Sequence, residues 1–563
     1  MSLIKKIFKR NVLFGLSAFV LYLFLSTFYT SFYKHDAFSS MFSPGGDQDY
    51  FLFFLKWWPW AIYHHINPFM TDYLTYPRFY NNSWLTSVPV LSLIAAPLTY
   101  NFGVIFSWNI LILLAPATAA FSAYILFRYL KLGYLASFIG GYIFGFSTYE
   151  MAEFIAGHIH MVYIFPVPLI ILLLLKRFSK QISRTGFIIP TAILMAFLFG
   201  ITTEIITTFV VFLFLSVIVF ILYNVRDKNI LRRIYSLSLD FILSGITALA
   251  VSSPFVYYLI AGFKNAVNKP ILFSAKYNAA DLLNFIIPAN FTKIGGNFYS
   301  GIFHFIKGDD YIGIGLLLIT IFSMRNLVNK KEDVKGAWVK PLIFITLMIA
   351  VFSLGPYLHI DGIITMIPMP GHLFIFPPLN NAAPNRFIMY VFLLIGFWVA
   401  VWIDKIDIAR LPKYKLYGRY SLLILSLLLI VPNYTTYVWG KPNFNRRAIK
   451  KFVPEGSNIL PITFSPYGQG ALWVVGSNLK IHMTGPNWGF QVYKHDDHVY
   501  NMLNDNKISG NFKRLINGYC VKHDIKYVVI SEKTHKKNMW ESAFDEIGWK
   551  RKTGDGIAVY RVP

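Results

Sequence analysis

The sequence predicts an α-helical polytopic membrane protein of about eleven spans, followed by a small C-terminal α/β domain. Three observations predict it. Hydrophobic residues make up 55% of the chain and charged residues only 14%, and the mean hydropathy is +0.50, too apolar for a water-soluble protein of 563 residues. Apolar stretches recur with short Lys/Arg clusters between them, so the formal net charge of +25 reads as a set of topology determinants, and no nucleic-acid partner is expected. Past Gly440 the composition becomes that of a soluble domain.

Lys5, Lys6, Lys9 and Arg10 precede an apolar stretch over 12–32, which at about 1.5 Å per residue crosses a hydrocarbon core of about 30 Å. The positive-inside bias places the N-terminus in the cytoplasm. The stretch is longer than a signal-peptide h-region, and the nearby small-x-small match Ala37-Phe38-Ser39 follows the charged Lys34-His35-Asp36, so a permanent helix is expected. From 33 to about 86 the chain is too polar to cross. Tyr50, Phe54, Trp57 and Trp58 share one face of a juxtamembrane helix, and Trp57, Trp58 and Trp60 read as an interfacial aromatic belt. Residues 88–98, with Pro89 and Pro97, are too short to span and read as an interfacial or re-entrant element. The span 104–129 ends at Arg128 and Lys131, which requires that 88–98 does not cross.

The same accounting sends 134–149 outward and 161–175 inward to Lys176, Arg177, Lys180 and Arg184. Residues 187–200 go out, and 205–223 return to Arg226, Lys228, Arg232 and Arg233. Residues 237–261 lead out into a long polar loop ending near Asp310, 311–324 come in to Arg325, Lys330, Lys331 and Lys335, and 342–354 go out. Residues 387–403 end at Lys405, Arg410, Lys413, Lys415 and Arg419, and 420–437 exit for the last time. The expected domains are a membrane domain over 1–439, with 33–100 as its first exoplasmic loop, and a soluble exoplasmic domain over 440–563. In the latter, strands are expected at 459–464, 479–483, 527–530 and 557–562, and helices at 497–519 and 536–547. The lone Cys520 excludes an intrachain disulfide and a Cys-rich metal site. No repeat, low-complexity tract or Walker A element is present.

The polar residues that stand out all fall on the expected outer side. Gly45-Gly46-Asp47-Gln48-Asp49-Tyr50 sets two carboxylates behind a glycine pair, either as caps of a helix beginning near Tyr50 or as a general base and its neighbour. Glu150, Glu153, His158 and His160 lie between an outward and an inward span. Glu204 begins another inward span, where it is buried against a partner or lines a cavity. Arg386 follows Pro384-Asn385; it either snorkels or binds a phosphate through its forked donors. The spacing of His158 and His160 could serve a metal together with Glu150, Glu153 or Asp49, although no HExxH-like pattern accompanies it.

Gly46-Asp47-Gln48-Asp49 followed by Trp57, in a long first outer loop after one helix, resembles the acidic motif of the GT-C superfamily of integral-membrane glycosyltransferases, which use polyprenyl-phosphate sugars. The resemblance covers the architecture of the whole chain, its sharp motif is this short one, and Gly157-His158-Ile159-His160 and Asn385-Arg386 look like positions where bacterial members keep polar residues. It implies Asp47 as the base that activates the acceptor, Asp49 as a supporting carboxylate or part of a cation site (Mg or Mn, with Asp47, Asp49 and His158 as ligands), and Arg386, His158 and His160 as ligands of the donor phosphate. Glu204, Trp57, Glu150 and Glu153 would line the substrate cavity. The implied partners are a polyprenyl-phosphate sugar donor, a cell-envelope glycan or other acceptor, and the bilayer of a bacterial or archaeal cell membrane. The C-terminal part lacks a Trp-Trp-Asp-like signature, which disfavours oligosaccharyl transfer to asparagine. Two other classes stay open: a flippase of lipid-linked sugars, which usually shows inverted repeats not seen here, and an O-antigen polymerase or ligase, for which the loop 263–310 supplies Lys264, Lys269, Lys276, Lys293 and Lys307.

Overall fold

The computed structural model describes residues 2–262, 275–329, 336–375, 379, 382–405, 412–434, 438–462, 470–486, 498–508 and 510–563. Lys264, Lys269, Lys330, Lys331, Lys335, Arg410, Tyr437, Phe464 and Asp497, used in the expectations above, lie outside these residues. The chain divides into two compact units: a bundle unit of 1–35, 110–252 and 270–437, and a sheet unit of 36–109, 253–269 and 438–563.

Six helices among the described residues are long and apolar enough to cross a membrane: Asn11–Tyr29, Val104–Tyr129, Ile159–Phe178, Thr203–Tyr223, Lys228–Val251 and Pro384–Asp404. Four shorter apolar helices accompany them, at Tyr134–Gly145, Arg184–Phe199, Ile314–Val328 and Trp338–Ser353. The protein is a multi-pass membrane protein. The expected span over 134–149 divides, because the helix Tyr134–Gly145 ends and a new one, Thr148–Ile155, starts at Ser147. Residues 88–98 form parts of two short helices, Pro89–Ile94 and Ala96–Phe102, neither long enough to cross.

In the bundle unit, Tyr134–Gly145 packs closely on Ile388–Asp404 where Gly140 meets Gly396. A Cβ on Gly396 would stand 2.5 Å from the Gly140 carbonyl oxygen, and one on Gly140 2.6 Å from that of Gly396, so only glycine permits this crossing. Elsewhere in this unit, Asp240, 2% exposed, accepts from Arg177 Nε at 2.8 Å and Arg184 Nε at 2.7 Å.

The sheet unit holds a five-stranded sheet in the order Lys550–Gly554, Ile557–Arg561, Tyr527–Ser531, Asn458–Ile462, His482–Met483. The first three strands pair antiparallel and the last three parallel. Ile516, Val528, Ile530, Trp540, Phe544 and Tyr560 form its core. The edge strand Lys550–Gly554 was not expected: its residues are polar and mostly exposed, so no alternation of apolar side chains marks it. The helix expected over 497–519 is two, His498–Asn504 and Phe512–Lys522, divided at Gly510 (φ +63°) and restarted by Asn511 as N-cap.

The segment 36–109 folds with this sheet. Met41–Phe42 pairs with Trp439–Gly440, and Met483 N donates to Tyr73 O while Tyr76 N donates to Met483 O, both at 2.9 Å. The helix Asp47–Tyr63 packs on Gly470–Gly476, where Lys56 Nζ donates to the Val475 carbonyl at 3.2 Å and to Asn478 Oδ1 at 2.6 Å. Trp57 and Trp58 are 1% and 2% exposed, which corrects the reading of them as an interfacial belt. The aromatic face serves packing within the unit instead.

Candidate active site

In the bundle unit, Ser147 starts the site. Its hydroxyl accepts from the Glu150 N–H at 3.2 Å, and the helix that follows puts Glu150 and Glu153 three residues apart on one face. Gly157, at φ +67°, ends that helix in a conformation that favours glycine, and the His158 N–H returns to the Glu153 carbonyl at 3.0 Å. His158 Nδ1 then lies 2.5 Å from Glu153 Oε2. From 233 residues further along the chain, Arg386 donates through Nε to Glu153 Oε1 at 2.8 Å, and through Nη1 to Glu204 Oε2 at 2.6 Å. Glu204 Oε1 also accepts from the Ala383 N–H at 2.9 Å. Arg386 is thus held between two carboxylates, with its side chain 23% exposed.

The electrostatics follow from that packing. Burial alone would raise the Glu153 pKa, but Arg386 and the His158 hydrogen bond hold it well below the usual carboxylate range. With Glu153 ionised, His158 Nδ1 carries the proton between them. Glu150 is fully buried and neither of its oxygens meets a donor among the described residues. Burial, then the Glu153 charge, push its pKa well above the usual range. His160 is 9% exposed, its ring centroid 5.7 Å from that of His158.

Two buried acids in this unit were not singled out from sequence. Asp309, 5% exposed, accepts from Asn385 Nδ2 at 2.9 Å, and its pKa is raised by burial and then by Glu153. Asp310, fully buried, is raised by burial and then by Asp309. The Thr148 hydroxyl reaches the carbonyls of Asp309 (3.0 Å) and Tyr311 (2.8 Å), fastening this loop to the helix of Glu150 and Glu153. The one available signal was an Asp-Asp pair immediately before an apolar stretch.

In the sheet unit, Gly45 (φ +100°) and Gly46 (φ +76°) turn the chain into the helix that Asp47 begins. The N-cap is Gly46, with no side-chain cap, so the expectation that Asp47 or Asp49 caps a helix near Tyr50 is corrected: both sit in the first helical turn. There they complement the helix dipole. Asp49, 6% exposed, accepts from the Gly45 N–H at 3.3 Å; burial pushes its pKa up to about 6, against the pull of that N–H and of Lys533. Asp47 is more accessible than Asp49. The Trp57 indole donates to the Pro68 carbonyl at 2.9 Å and is buried. Among the described residues no three His, Cys, Asp or Glu side chains come together as a metal site.

No family model matches the sequence, and a sequence search of curated proteins finds no relative. Solved structures do match. The arabinofuranosyltransferase AftD from Mycobacteria superposes with a TM-score of 0.61 at 11% identity, over 97% of this chain and 40% of its own. The apo oligosaccharyltransferase of Archaeoglobus fulgidus gives 0.55 at 11% identity, over 92% of this chain and 70% of its own. The Archaeoglobus fulgidus oligosaccharyltransferase AglB, in complex with an inhibitory peptide and a dolichol-phosphate, gives 0.53 at 10% identity, over 98% and 74%. The chain has the fold of these GT-C membrane glycosyltransferases. It spans less than half the length of AftD.

Proposed function

We propose that the protein is a membrane glycosyltransferase that moves a sugar from a polyprenyl-phosphate donor to a cell-envelope glycan or other acceptor on the exoplasmic face of a bacterial or archaeal cell membrane. The observation that carries this reading is the match of nearly the entire chain to the fold of glycosyltransferases, one of them solved with a dolichol-phosphate. Asp47 is the base: it takes the proton of an acceptor hydroxyl as that oxygen bonds to the anomeric carbon. The bond from that carbon to the phosphate oxygen breaks, the phosphate leaves with the electron pair, and direct displacement inverts the anomeric centre. The accessibility of Asp47 and the burial of Asp49 support this division of roles, with Asp49 as a supporting carboxylate.

Arg386, with His158 or His160, meets the charge that gathers on the departing phosphate. The Arg386 side chain, held between Glu153 and Glu204, stays 23% exposed, and this access supports a contact with the phosphate. Glu204, with 16% of its side chain exposed, would line the substrate cavity, whereas Glu150, earlier in the sequence, is fully buried and serves no contact with substrate.

The test is to incubate the purified protein with labelled polyprenyl-phosphate sugars and candidate acceptor glycans. Transfer from the monophosphate donor supports the reading, and Asp47→Asn is expected to abolish it with expression and membrane insertion unchanged. Retained turnover in that variant removes Asp47 from its role. Block transfer from a pyrophosphate donor would establish a polymerase or ligase instead, and translocation without a new bond a flippase.

A further inference from the structure

The sheet unit holds a second group of chemistry-bearing side chains that the proposed reaction does not use. His482, on the edge strand, stacks on Tyr73 with ring centroids 4.2 Å apart and 25° between planes, and the Tyr76 ring lies 5.0 Å away. Tyr73 meets Trp57 at 5.3 Å and Trp60 at 5.6 Å. The main chain fixes this strip: besides the two bonds between Met483 and residues 73 and 76, the Thr484 hydroxyl donates to the Tyr76 carbonyl at 2.9 Å. Trp60, Tyr73, Tyr76, His482 and Asp72 are all partly exposed.

Asp72 backs the imidazole. Its Oδ1 is 3.7 Å from His482 Nδ1, beyond hydrogen-bond length yet close enough to favour the proton on that nitrogen. Nδ1 is buried, which leaves the Nε2 edge for a ligand; the Asp72 carboxylate likewise bonds no other side chain among the described residues. His64 stacks on one face of Trp60 at 4.2 Å, and the partly exposed rings beside a carboxylate and an imidazole match a ligand with apolar C–H patches and a rim of hydroxyls. Lipid tails would have no use for the paired carboxylate and imidazole.

We propose that the strip Trp60–Tyr73–His482–Tyr76, edged by Asp72, binds a sugar residue of the acceptor glycan at a distance from the reacting end; this rests on the glycosyl-transfer reading. Trp57 and Trp60 follow Asp47 on one helix, at 1.5 Å per residue about 15 and 20 Å along its axis. The bound sugar is therefore several units removed from the hydroxyl that Asp47 would activate. Such a contact anchors a long acceptor in the ground state and the transition state equally, so its loss raises KM and leaves kcat unchanged.

The test is saturation-transfer NMR on the full-length protein without donor, using the methyl glycosides of glucose, mannose, galactose and arabinofuranose as probes. Saturation is expected to reach the ring protons of at least one probe. Tyr73→Ala and His482→Ala are expected to weaken its binding about tenfold, and Tyr73→Phe, which keeps the ring, to retain it. Should Tyr73→Ala not yield folded protein, Asp72→Asn gives the same reading, with binding weakened about threefold. No saturation in any probe, or folded variants that bind as the parent does, overturns the site. Quenching by lipid-borne bromine in nanodiscs that is lost in Trp60→Phe, without sugar binding, also overturns it, marking the strip as a membrane-facing surface. Sugar binding without transfer leaves this site standing and removes the transferase reading; transfer without sugar binding does the reverse.

Discussion

Replacing Arg386 with methionine would test the bundle-unit cluster directly. The substitution keeps an unbranched apolar stem and leaves Glu153, 6% exposed, and Glu204, 16% exposed, without their shared cation. Breaking a buried pair by removing one partner costs about 3–5 kcal/mol. Because Arg386 and Glu204 retain some access to solvent, the expected loss is about 3 kcal/mol, at the lower end of that range. The pH dependence should also change sign. In the parent protein the lowered pKa of Glu153 supplies stability that is full above about pH 4.3, the unfolded value, and lost as pH falls through the folded one. Without Arg386, burial raises that pKa, so the variant loses stability as pH rises through the new folded value and recovers it on acidification. Thermal unfolding of detergent-solubilised protein, followed by tryptophan fluorescence from pH 5 to pH 8, reads both effects. Adding Glu153→Gln should restore part of the loss at pH 8. A deficit below about 1 kcal/mol, or one independent of pH and unaffected by the second substitution, would refute the reasoning.

Asp49→Asn should stabilise the protein by about 1–3 kcal/mol at pH 8, because an acid whose folded pKa is pushed up to about 6 costs stability as pH rises through that value; the gain should vanish by pH 4, as denaturant titrations at the two pH values will show. Gly396→Val forces a side chain against the Gly140 carbonyl and is expected to cost about 3 kcal/mol or to prevent folding, read as lost monodispersity on size-exclusion chromatography. Lys56→Met removes the donor to the last turn of Gly470–Gly476 and should cost about 1–2 kcal/mol at pH 7; because burial, then Arg446, lower the Lys56 pKa to about 8, below its unfolded value, the parent gains stability as pH rises through 8 and the cost should be about 1 kcal/mol larger at pH 9, as thermal unfolding at both will show.

Much of the bundle was legible in the sequence, because hydropathy over some twenty residues and clustered basic residues are strong, local signals. The exclusion of 88–98 as a span, inferred from Arg128 and Lys131, matches two helices too short to cross. Partnerships were not legible. Nothing near Arg386 announces that Glu153 and Glu204, far earlier in the chain, will neutralise it, since such pairing is set by helix packing and not by spacing. Asp309 and Asp310 escaped notice because a charged pair at a loop end is ordinary until its burial is known. The edge strand Lys550–Gly554 was silent for the opposite reason: an exposed edge needs no apolar side chains, and polar residues there discourage edge-to-edge aggregation.

The packing of Asp47–Tyr63 on Gly470–Gly476 has a consequence for biosynthesis. The helix that begins with Asp47 leaves the ribosome among the first tenth of the chain, yet its supporting surface is translated only in the last fifth. Until then Asp47 has no fixed seat, so a ribosome stalled late in the message would release a chain inserted in the bilayer but, on the proposed reading, without transfer activity. C-terminal truncation should abolish the proposed transfer for the same reason, even if the residues removed never touch a substrate.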